Sequence, residues 1–427
     1  MTACGLVLRV PFLPDLLAEN DESRGHRYVW ASLIFFMNRR QLLLSLPAAI
    51  TTTALSVEKS WRIGVIGHTG RGNYGHGLDT MWLRLAETQI VAVADTDESG
   101  RAAAVKRLGL SQGYADYREM LHEARPEIVA IAPRHIDQHR DMALACAEAG
   151  VRGIYMEKPF CRTLEEADEI VSACKKTGMK LALAHRNRQH PALPVVAQTI
   201  QDGLIGRVLE IRGRGKEDKR GGALDLWVLG SHVLNIATYL GGSAQTCSAE
   251  VRLGGQRLNR AQVREGEEGI GLLAGDEVHA RYRLASGITF SFDSKKEFGV
   301  SEAGFGLQVI GTQGIIDLRM DREPLAHLLP GNPFQPTTAH RNWIPITTAG
   351  VGKPEPISDL GRKVSSHEVA AKDLFSAITQ GHAPICDAVQ GRETVEMISA
   401  VFESHRLGSA EVRLPLKTRV NPLTLLL

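Results

Sequence analysis

Two basic side chains, far apart in the sequence, stand in settings that suit acid–base chemistry. The first is Lys158, in the triplet Glu157-Lys158-Pro159 that follows the apolar run 153–156. Since a proline disfavours helical geometry at the residue before it, Lys158 is predicted at the carboxyl end of a strand. In doubly wound sheets that edge faces the ligand crevice, where an ammonium group can bind a hydroxyl and stabilise a developing alkoxide. A surface lysine paired with Glu157 is the alternative interpretation.

The second basic side chain is His232, which follows the glycine-rich stretch 220–222 and an apolar segment. An imidazole titrates near neutrality, so it can take up and return a proton. A hydrogen-bonded core histidine is the alternative on the residues alone. The nearest preceding acid, Asp225, is seven residues away, or about 10.5 Å along an ideal helix, too far for a direct hydrogen bond. If the helix begins only after Gly230, Asp225 can still face the same cleft.

The segment 62–85 has the order that a dinucleotide site requires, which is a strand, a glycine turn and a helix-compatible run. A short apolar strand leads to Gly67, and Gly72 falls at the third place of the GxGxxG pattern. Thr69 occupies the second place, with Gly70 beside it to allow close approach of a pyrophosphate. A helix is therefore predicted after these glycines, and a glycine turn without a nucleotide remains the alternative.

An acid follows the next apolar strand, at Asp95, 23 residues beyond Gly72. A carboxylate there can accept hydrogen bonds from both ribose hydroxyls and repels a 2′-phosphate, which predicts NAD rather than NADP. A turn-forming or helix-capping role within 95–99 is the alternative. Strand-like and helix-like segments go on alternating as far as residue 156, which predicts a parallel sheet covered on both faces.

Beyond residue 185 the pattern changes to alternating, half-buried strands. These predict an open, mainly antiparallel sheet with helices on one face. Segment 332–356, rich in proline and threonine, is predicted to be a long loop. The predicted strands are 208–214, 278–284, 289–293, 307–311 and 315–318.

Four separated motifs resemble those of the glucose-fructose oxidoreductase, inositol dehydrogenase and rhizopine-catabolism (Gfo/Idh/MocA) family, in the same order. They are the glycine turn, the triplet around Lys158, the segment 203–208 with Arg207, and the C-terminal pattern 368–404. The resemblance covers most of residues 62–416. It implies a Rossmann domain at residues 61–185, and a substrate-binding and oligomerisation domain at residues 186–427 whose sheet supplies a dimer or tetramer interface.

The resemblance also implies roles for single residues. His232 matches the proton-transferring histidine, but the acid that many dehydrogenases of the family carry four residues earlier is Val228 here, and the one three residues later is Asn235. His185 and Arg186 at the domain junction are polar candidates without an assigned role. The predicted catalytic residues are Lys158, His232 and Asp225, and the predicted cofactor-binding residues are Gly67, Thr69, Gly70, Gly72, Asp95, Pro133, Glu157 and Lys158.

Taken together, these residues predict hydride transfer between NAD and a sugar, polyol or sugar derivative, with NADP the second choice of cofactor. Two other functions stay open. In an NAD-assisted glycosidase, transient oxidation of the sugar enables elimination and the cofactor is recycled. A sugar-sensing protein would keep the fold without the chemistry.

Composition excludes several other classes of protein. The 427 residues predict two or three domains, and 50 basic against 48 acidic residues give a net charge of +2, with no field to attract a nucleic acid. The six cysteines form no CxxC pair and no zinc-type cluster, so neither a metal site nor a disulfide framework is predicted.

The N-terminal 60 residues are predicted to be a targeting segment. Arg39-Arg40 and the short apolar run after them resemble a twin-arginine export signal, and Met37 is then the expected true start, with residues 1–36 an upstream extension. A periplasmic location follows, with a disordered tail on a cytoplasmic protein as the alternative. No other stretch reaches 18 apolar residues, so no membrane span is expected after signal removal.

Overall fold

Short apolar runs form five parallel strands in the first part of the chain, as predicted. The computed structural model describes residues 60–299 and 304–426. In chain order the strands are β1 (Trp61–Ile66), β2 (Thr88–Ala94), β3 (Ile128–Ile131), β4 (Gly153–Met156) and β5 (Lys180–Leu183). The order across the sheet is β2-β1-β3-β4-β5, with every neighbouring pair parallel. Because β2 and β3 lie on opposite sides of β1, a ligand crevice is created where the carboxyl ends of β1 and β3 diverge.

Alternate residues of β3 enter two separate apolar cores, one on each face of this sheet. Val129 and Ile131 belong to one core, and Ile128 and Ala130 to the other. Both faces therefore need helices to cover them. Helices α1 (Glu98–Leu108) and α2 (Tyr117–Ala124) follow β2, α3 (His139–Glu148) follows β3, and α4 (Leu164–Thr177) follows β4. The side chains of Asp97, Asp116 and Thr163 cap α1, α2 and α4.

The helix predicted directly after the glycine turn is wrong. Residues 67–80 form successive turns, and only the short 3₁₀ helix Met81–Arg84 follows. Gly70, Gly72, Gly75 and Gly77 all have positive φ angles, between 60° and 87°. A right-handed helix cannot pass through such residues, so the repeated glycines replace the expected helix with a loop.

A second, larger sheet follows. It has the order β17-β16-β15-β14-β13-β6-β12-β11-β7-β18, with β8 paired to β7, and all its pairs are antiparallel except β6 with β12. A separate ribbon pairs β9 with β10. The strands are β6 (Val208–Arg214), β7 (Ala244–Leu253), β8 (Gln256–Arg257), β9 (Arg264–Glu265), β10 (Leu272–Leu273), β11 (Glu277–Leu284), β12 (Thr289–Lys295), β13 (Gly306–Gly311), β14 (Gly314–Arg319), β15 (Ala326–Pro330), β16 (Ile344–Thr347), β17 (Gly350–Val351) and β18 (Val412–Arg413).

The mainly antiparallel sheet and its five predicted strands are confirmed, but the long loop predicted at 332–356 is wrong in part. Strands β16 and β17 form a hairpin inside it and extend the sheet at one edge. Ile344 pairs with Leu328 of β15, and Ile346 is fully buried. The apolar alternation at these two positions was hidden by the prolines and threonines around them.

One face of the second sheet is covered by helices. Along β11, Val278, Ala280 and Tyr282 are buried while His279 and Arg281 are exposed. The helices of this part are α5 (Ala192–Gln201), the single turn α6 (Ala223–Asp225), the π-helical turn Leu226–Gly230, α7 (Ser231–Gly241), α8 (Leu360–Ser365), α9 (Glu368–Gln380) and α10 (Ala388–Arg406). Helix α7 packs on β6 and β13, and α10 packs on β7.

Helix α9 returns to the first sheet and packs on β4 and β5. Leu374 and Phe375 belong to the same apolar core as Ile63 of β1. The rings of Phe375 and Trp61 stack with centroids 5.7 Å apart. The core of the first sheet is therefore completed by residues from near the end of the chain.

Two further observations concern the described residues alone. None of their helices combines the length and hydropathy needed to span a membrane. Their histidines, cysteines and acids form no cluster that could hold a metal ion. The predicted upstream extension and twin-arginine segment, through residue 59, lie outside the described residues.

Candidate active site

Close packing shapes the glycine loop after β1. A Cβ on Gly67 would lie 2.2 Å from the Tyr74 ring, and one on Gly72 would lie 2.3 Å from the backbone nitrogen of Arg134. Gly70 has a φ of 84° and no neighbour within 4 Å of a Cβ placed on it. The loop is thus packed down at its first and third fingerprint glycines, while its backbone stays open at Gly70, as close approach of a phosphate requires.

Asp95 lies directly after β2, and its buried carboxylate ties the glycine loop to this strand. It accepts hydrogen bonds from Thr69 Oγ1 at 2.7 Å, the Tyr74 hydroxyl at 2.8 Å, and the backbone amides of Thr69 and Asp97 at 3.1 and 3.0 Å. Burial and the adjacent carboxylate raise the pKa of Tyr74 far above its usual range, so its hydroxyl remains a donor. Asp95 therefore has a structural role that the sequence does not reveal, and its ribose contact stays a prediction.

A narrow cleft of about 20 Å³ opens beside these residues, at the carboxyl ends of β1 and β2. A cleft of this size holds about one water molecule, so it shows only that Gly67 and Asp95 line a common opening at this edge of the sheet. Its walls include Gly67, Asp95, Thr96, Tyr117, Gln138 and Met142.

Glu157 directly follows β4, and its buried carboxylate also holds the glycine loop. It lies 3.0 Å from His76 Nδ1 and accepts hydrogen bonds from the backbone amides of His76 and Lys158. Burial alone would raise the pKa of Glu157, but the hydrogen bond and charge of His76, with the charge of Lys158, lower it to about 2. Glu157 is thus an anion at neutral pH, and it joins the end of β4 to the loop through His76, which the sequence analysis missed.

Lys158 places a buried amine at the carboxyl edge of the first sheet, as predicted. Its Nζ donates a hydrogen bond to the carbonyl oxygen of Val228 at 3.0 Å, and the residue is 6% exposed. The Lys158–Pro159 peptide is cis. Burial lowers the pKa of Lys158, while the carboxylate of Glu157 opposes this effect. Among the described contacts this is the amine's one hydrogen bond, so two N–H donors remain for a ligand.

His139, buried at the start of α3, connects the turns that follow β3 and β4. Its Nε2 lies 2.8 Å from the carbonyl oxygen of Pro133, and its Nδ1 lies 3.1 Å from the carbonyl oxygens of Pro159 and Phe160. The predicted cofactor-binding residue Pro133 is therefore held against the turn that carries Lys158. Sequence reasoning offered no signal for this contact, because Pro133 and Pro159 are 26 residues apart in the sequence.

His232 lies on α7, immediately after a π-helical turn. Val228, whose carbonyl oxygen accepts the hydrogen bond from Lys158, belongs to that turn and precedes His232 by four residues. π-Helical turns occur frequently at functional sites, because they disturb the regular helix hydrogen bonds. Lys158, at the edge of the first sheet, and His232, on a helix that packs on the second sheet, were both predicted as catalytic and thus reach the same buried region.

A second imidazole, that of His185, stands against His232. The two Nδ1 atoms are 3.3 Å apart, and the rings are nearly perpendicular at 88°. Burial lowers the pKa of both histidines, and the positive charge of Lys158 lowers both further; that of His185 falls to about 3. Both imidazoles are therefore neutral at pH 7.

Asp225 makes no hydrogen bond to His232 among the described contacts, as its spacing of seven residues predicts, and the condition under which it could still face the cleft, a helix that begins only after Gly230, is not met. The carboxylate is buried and accepts hydrogen bonds from Ser294 Oγ at 2.6 Å and from the backbone amide of Glu217 at 3.0 Å. Helix α6, the π-helical turn and α7 run on without a break, so Asp225 faces β12 rather than bending back toward His232. It fastens the segment before α6 to the second sheet.

Two family models match this chain. Residues 61–185 match the Gfo/Idh/MocA model described as an oxidoreductase family with an NAD-binding Rossmann fold. Residues 199–414 match the companion model, described as the C-terminal alpha/beta domain of the oxidoreductase family. The two matches correspond to the two sheets.

Curated relatives include two carbohydrate dehydrogenases. Levoglucosan dehydrogenase of Pseudarthrobacter phenanthrenivorans is 25% identical over 344 residues, which cover 73% of this chain and 86% of that protein. D-apiose dehydrogenase of Paraburkholderia graminis is 30% identical over 178 residues, which cover 39% of this chain and 47% of that protein.

Solved structures show the same fold. Levoglucosan dehydrogenase in complex with NADH and levoglucosan has a TM-score of 0.64 at 22% identity, covering 83% of this chain and 99% of that one. An NAD-binding oxidoreductase from Klebsiella pneumoniae also has a TM-score of 0.64, at 20% identity, covering 84% of this chain and 100% of that one. With both of its sheets matched by the family models, this chain belongs to the Gfo/Idh/MocA family of oxidoreductases, whose first domain is an NAD-binding Rossmann fold.

Proposed function

We propose that this protein is an NAD-dependent dehydrogenase that oxidises a hydroxyl group of a sugar, polyol or sugar derivative. The observation that carries the proposal is the meeting of a buried amine, Lys158, with a buried imidazole, His232, at the turn that contains Val228. The names of two relatives, levoglucosan dehydrogenase and D-apiose dehydrogenase, support a carbohydrate substrate.

The side chains divide the work on the substrate oxygen. Lys158 binds this oxygen with its two remaining N–H donors and stabilises the negative charge that develops there. His232 is neutral at pH 7 because burial lowers its pKa, so it can accept the hydroxyl proton. When bound, NAD supplies the carbon that accepts the hydride.

The same residues support NAD as the cofactor. The open backbone at Gly70 suits the pyrophosphate, and the packed loop holds the positions of Gly67, Thr69 and Gly72 around it. The carboxylate of Asp95, directly after β2, would repel the 2′-phosphate of NADP. NADP is therefore expected to bind more weakly.

The test is a panel of anhydrosugars, aldoses, polyols and glycosides incubated with purified protein and NAD. Accumulation of NADH together with an oxidised sugar supports the proposal, and its loss in Lys158→Ala and His232→Ala would assign the two roles. Lys176→Ala and His122→Ala, at exposed positions on α4 and α2, are matched controls. Glycoside cleavage without net NADH would instead indicate an NAD-assisted glycosidase, and tight sugar binding without turnover a sensing protein.

We further propose that the protein reaches the periplasm by the twin-arginine route, with Arg39-Arg40 as its signal. This route carries folded cargo, which suits a protein that must bind a cytoplasmic cofactor before export. Replacing both arginines by lysines should leave the protein in the cytoplasm. Periplasmic protein in that variant would contradict the proposal.

We also propose that the protein is a dimer or tetramer assembled through the second sheet. The helix-free face of β11 exposes His279, Arg281 and Arg283, and this polar face is uncovered in the single chain. Light scattering should give a mass that is a multiple of the protomer's. A monomer at micromolar concentration would contradict this assignment.

A further inference from the structure

The imidazole of His185 has no part in the roles assigned above, although it faces His232 directly. We infer that His185 is a positioning residue, which forms an Nδ1-to-Nδ1 hydrogen bond with His232 and so sets the tautomer in which His232 meets the substrate. The inference rests on the proposed dehydrogenase function. It concerns which ring nitrogen of His232 carries the hydrogen, and it does not depend on which sugar is the substrate.

Rigid backbone holds His185 in place. It follows β5, and its amide donates a hydrogen bond to the carbonyl oxygen of Leu183 at 2.8 Å, while its own carbonyl oxygen accepts one from the amide of Arg188 at 2.8 Å. The side chain is 1% exposed. Its ring therefore has little freedom to turn away from His232.

The distance between the two Nδ1 atoms, 3.3 Å, is within hydrogen-bond range and favours a hydrogen between them. Two bare nitrogens would place lone pairs against each other, and two N–H groups would place their hydrogens in contact. The arrangement that avoids both contacts has Nδ1–H on one ring and a lone pair on the other. No acid among the described residues hydrogen-bonds to His232, so His185 is its ring partner.

The direction of this hydrogen bond decides what His232 can do. A neutral imidazole carries one N–H, so when His232 donates from Nδ1 its Nε2 holds a lone pair and can accept a hydroxyl proton. When His185 donates instead, His232 carries its hydrogen on Nε2 and can return it to a carbonyl oxygen. The two arrangements differ in the position of the hydrogen on each ring, so the ring that donates decides which direction of the reaction His232 can begin.

In the direction of oxidation, the hydroxyl group of the substrate is the proton donor and the His232 imidazole is the acceptor. The hydroxyl proton is transferred to Nε2 of His232, which then holds hydrogens on both nitrogens and is a cation. Its Nδ1–H still points at the lone pair of His185 Nδ1, which stabilises the cation by a charge-assisted hydrogen bond. The hydride leaves the same carbon for the nicotinamide, so the substrate loses two electrons and two hydrogens in total.

The experiment on the unchanged protein is a long-range ¹H–¹⁵N correlation spectrum of ¹⁵N-histidine-labelled enzyme at pH 7, with assignments from His185→Asn and His232→Asn. We expect one of the two rings to carry hydrogen on Nδ1 and the other a bare Nδ1. If both rings carry hydrogen only on Nε2, the inference is overturned. This spectrum needs no substrate, so it decides the pairing even if no sugar is oxidised.

The kinetic experiment compares His185→Phe with His185→Asn. The phenyl ring cannot accept a hydrogen bond, so kcat should fall by roughly 10- to 100-fold, with the sugar KM and the NADH dissociation constant within about threefold, as for a change confined to the reaction step. Asparagine, whose side-chain oxygen can accept from His232 Nδ1, should restore most of kcat. An unchanged kcat in His185→Phe would overturn the inference, and so would a rise in KM and in the NADH dissociation constant with kcat unaffected. His122→Phe is the matched control.

Discussion

Replacing Lys158 with methionine should remove most of the turnover while leaving the cofactor site intact. Methionine has almost the length of lysine and suits a buried position, but it has no N–H donor and no charge. The residues that hold the glycine loop, Asp95 and Glu157, keep their contacts with that loop in this variant. The loss should therefore fall on the reaction step.

The size of the loss follows from the hydrogen bonds of the amine. Lys158 Nζ uses one donor on the carbonyl oxygen of Val228, which leaves two for the reacting oxygen. A hydrogen bond from a charged donor contributes about 1.5–3 kcal/mol, so two of them lower the barrier by about 3–6 kcal/mol. This corresponds to a fall of roughly 10²- to 10⁴-fold in kcat/KM.

The pH dependence should change as well. The charge of Lys158 lowers the pKa of His185 and of His232, so its removal raises both. His232 acts as a base when it is unprotonated, and its activity is lost as pH falls through its pKa. The acidic limb of the residual activity should consequently move to higher pH in Lys158→Met.

Three measurements check this prediction: NADH formation at saturating NAD, NADH affinity by fluorescence titration, and the thermal midpoint. Lys176→Met, at an exposed site in the last turn of α4, should behave as the wild type in all three. The loss of even one hydrogen bond from a charged donor should lower kcat/KM by more than about tenfold. If Lys158→Met retained kcat/KM within about tenfold of the wild type, the amine would therefore have no role in stabilising the reacting oxygen.

Three other outcomes are expected. Gly72→Ala should weaken NADH binding by roughly tenfold and lower the thermal midpoint, because its Cβ would meet a backbone nitrogen at 2.3 Å. Gly70→Ala is also at positive φ but has no neighbour there, so it should change both quantities less. Equal effects of the two substitutions would contradict the packing argument. Asp225→Ala should destabilise the fold by about 2–4 kcal/mol, because Ser294 and a backbone amide lose their acceptor. Since Asp225 lies outside the reacting group, kcat should change by less than about tenfold. A larger loss of kcat in the folded variant would restore the catalytic role of Asp225. Burial lowers the pKa of His367 from 6.5 to about 4. The neutral imidazole of His367 therefore contributes fully to folding stability above pH 6.5, and this contribution is lost as pH falls toward 4. The thermal midpoint of the wild type should fall over that pH range, and that of His367→Gln should fall less.

Local patterns were enough to predict both sheets and the position of Lys158. The strand of residues 153–156 is fully buried, and a fully buried strand is a continuous apolar run in the sequence. The proline after Lys158 then fixes where that strand ends. These features depend on neighbours in the sequence, so they can be inferred without the fold.

Contacts between distant residues could not be predicted in this way. His185 and His232 are 47 residues apart, and Lys158 and Val228 are 70 apart. Neither pair has a spacing that marks it, because each is created when the two sheets come together. The roles of Asp95 as an anchor for the glycine loop and of Asp225 as an anchor for the second sheet were hidden for the same reason.

The return of α9 to the first sheet has a consequence for how the protein is made. The core beneath β1 includes Leu374 and Phe375, so the nucleotide-binding part has exposed apolar surface until about residue 380 has left the ribosome. A fragment that stops at residue 185 would lack these contacts and should aggregate when expressed by itself. We therefore expect the core beneath β1 to be completed only after α9 has been synthesised.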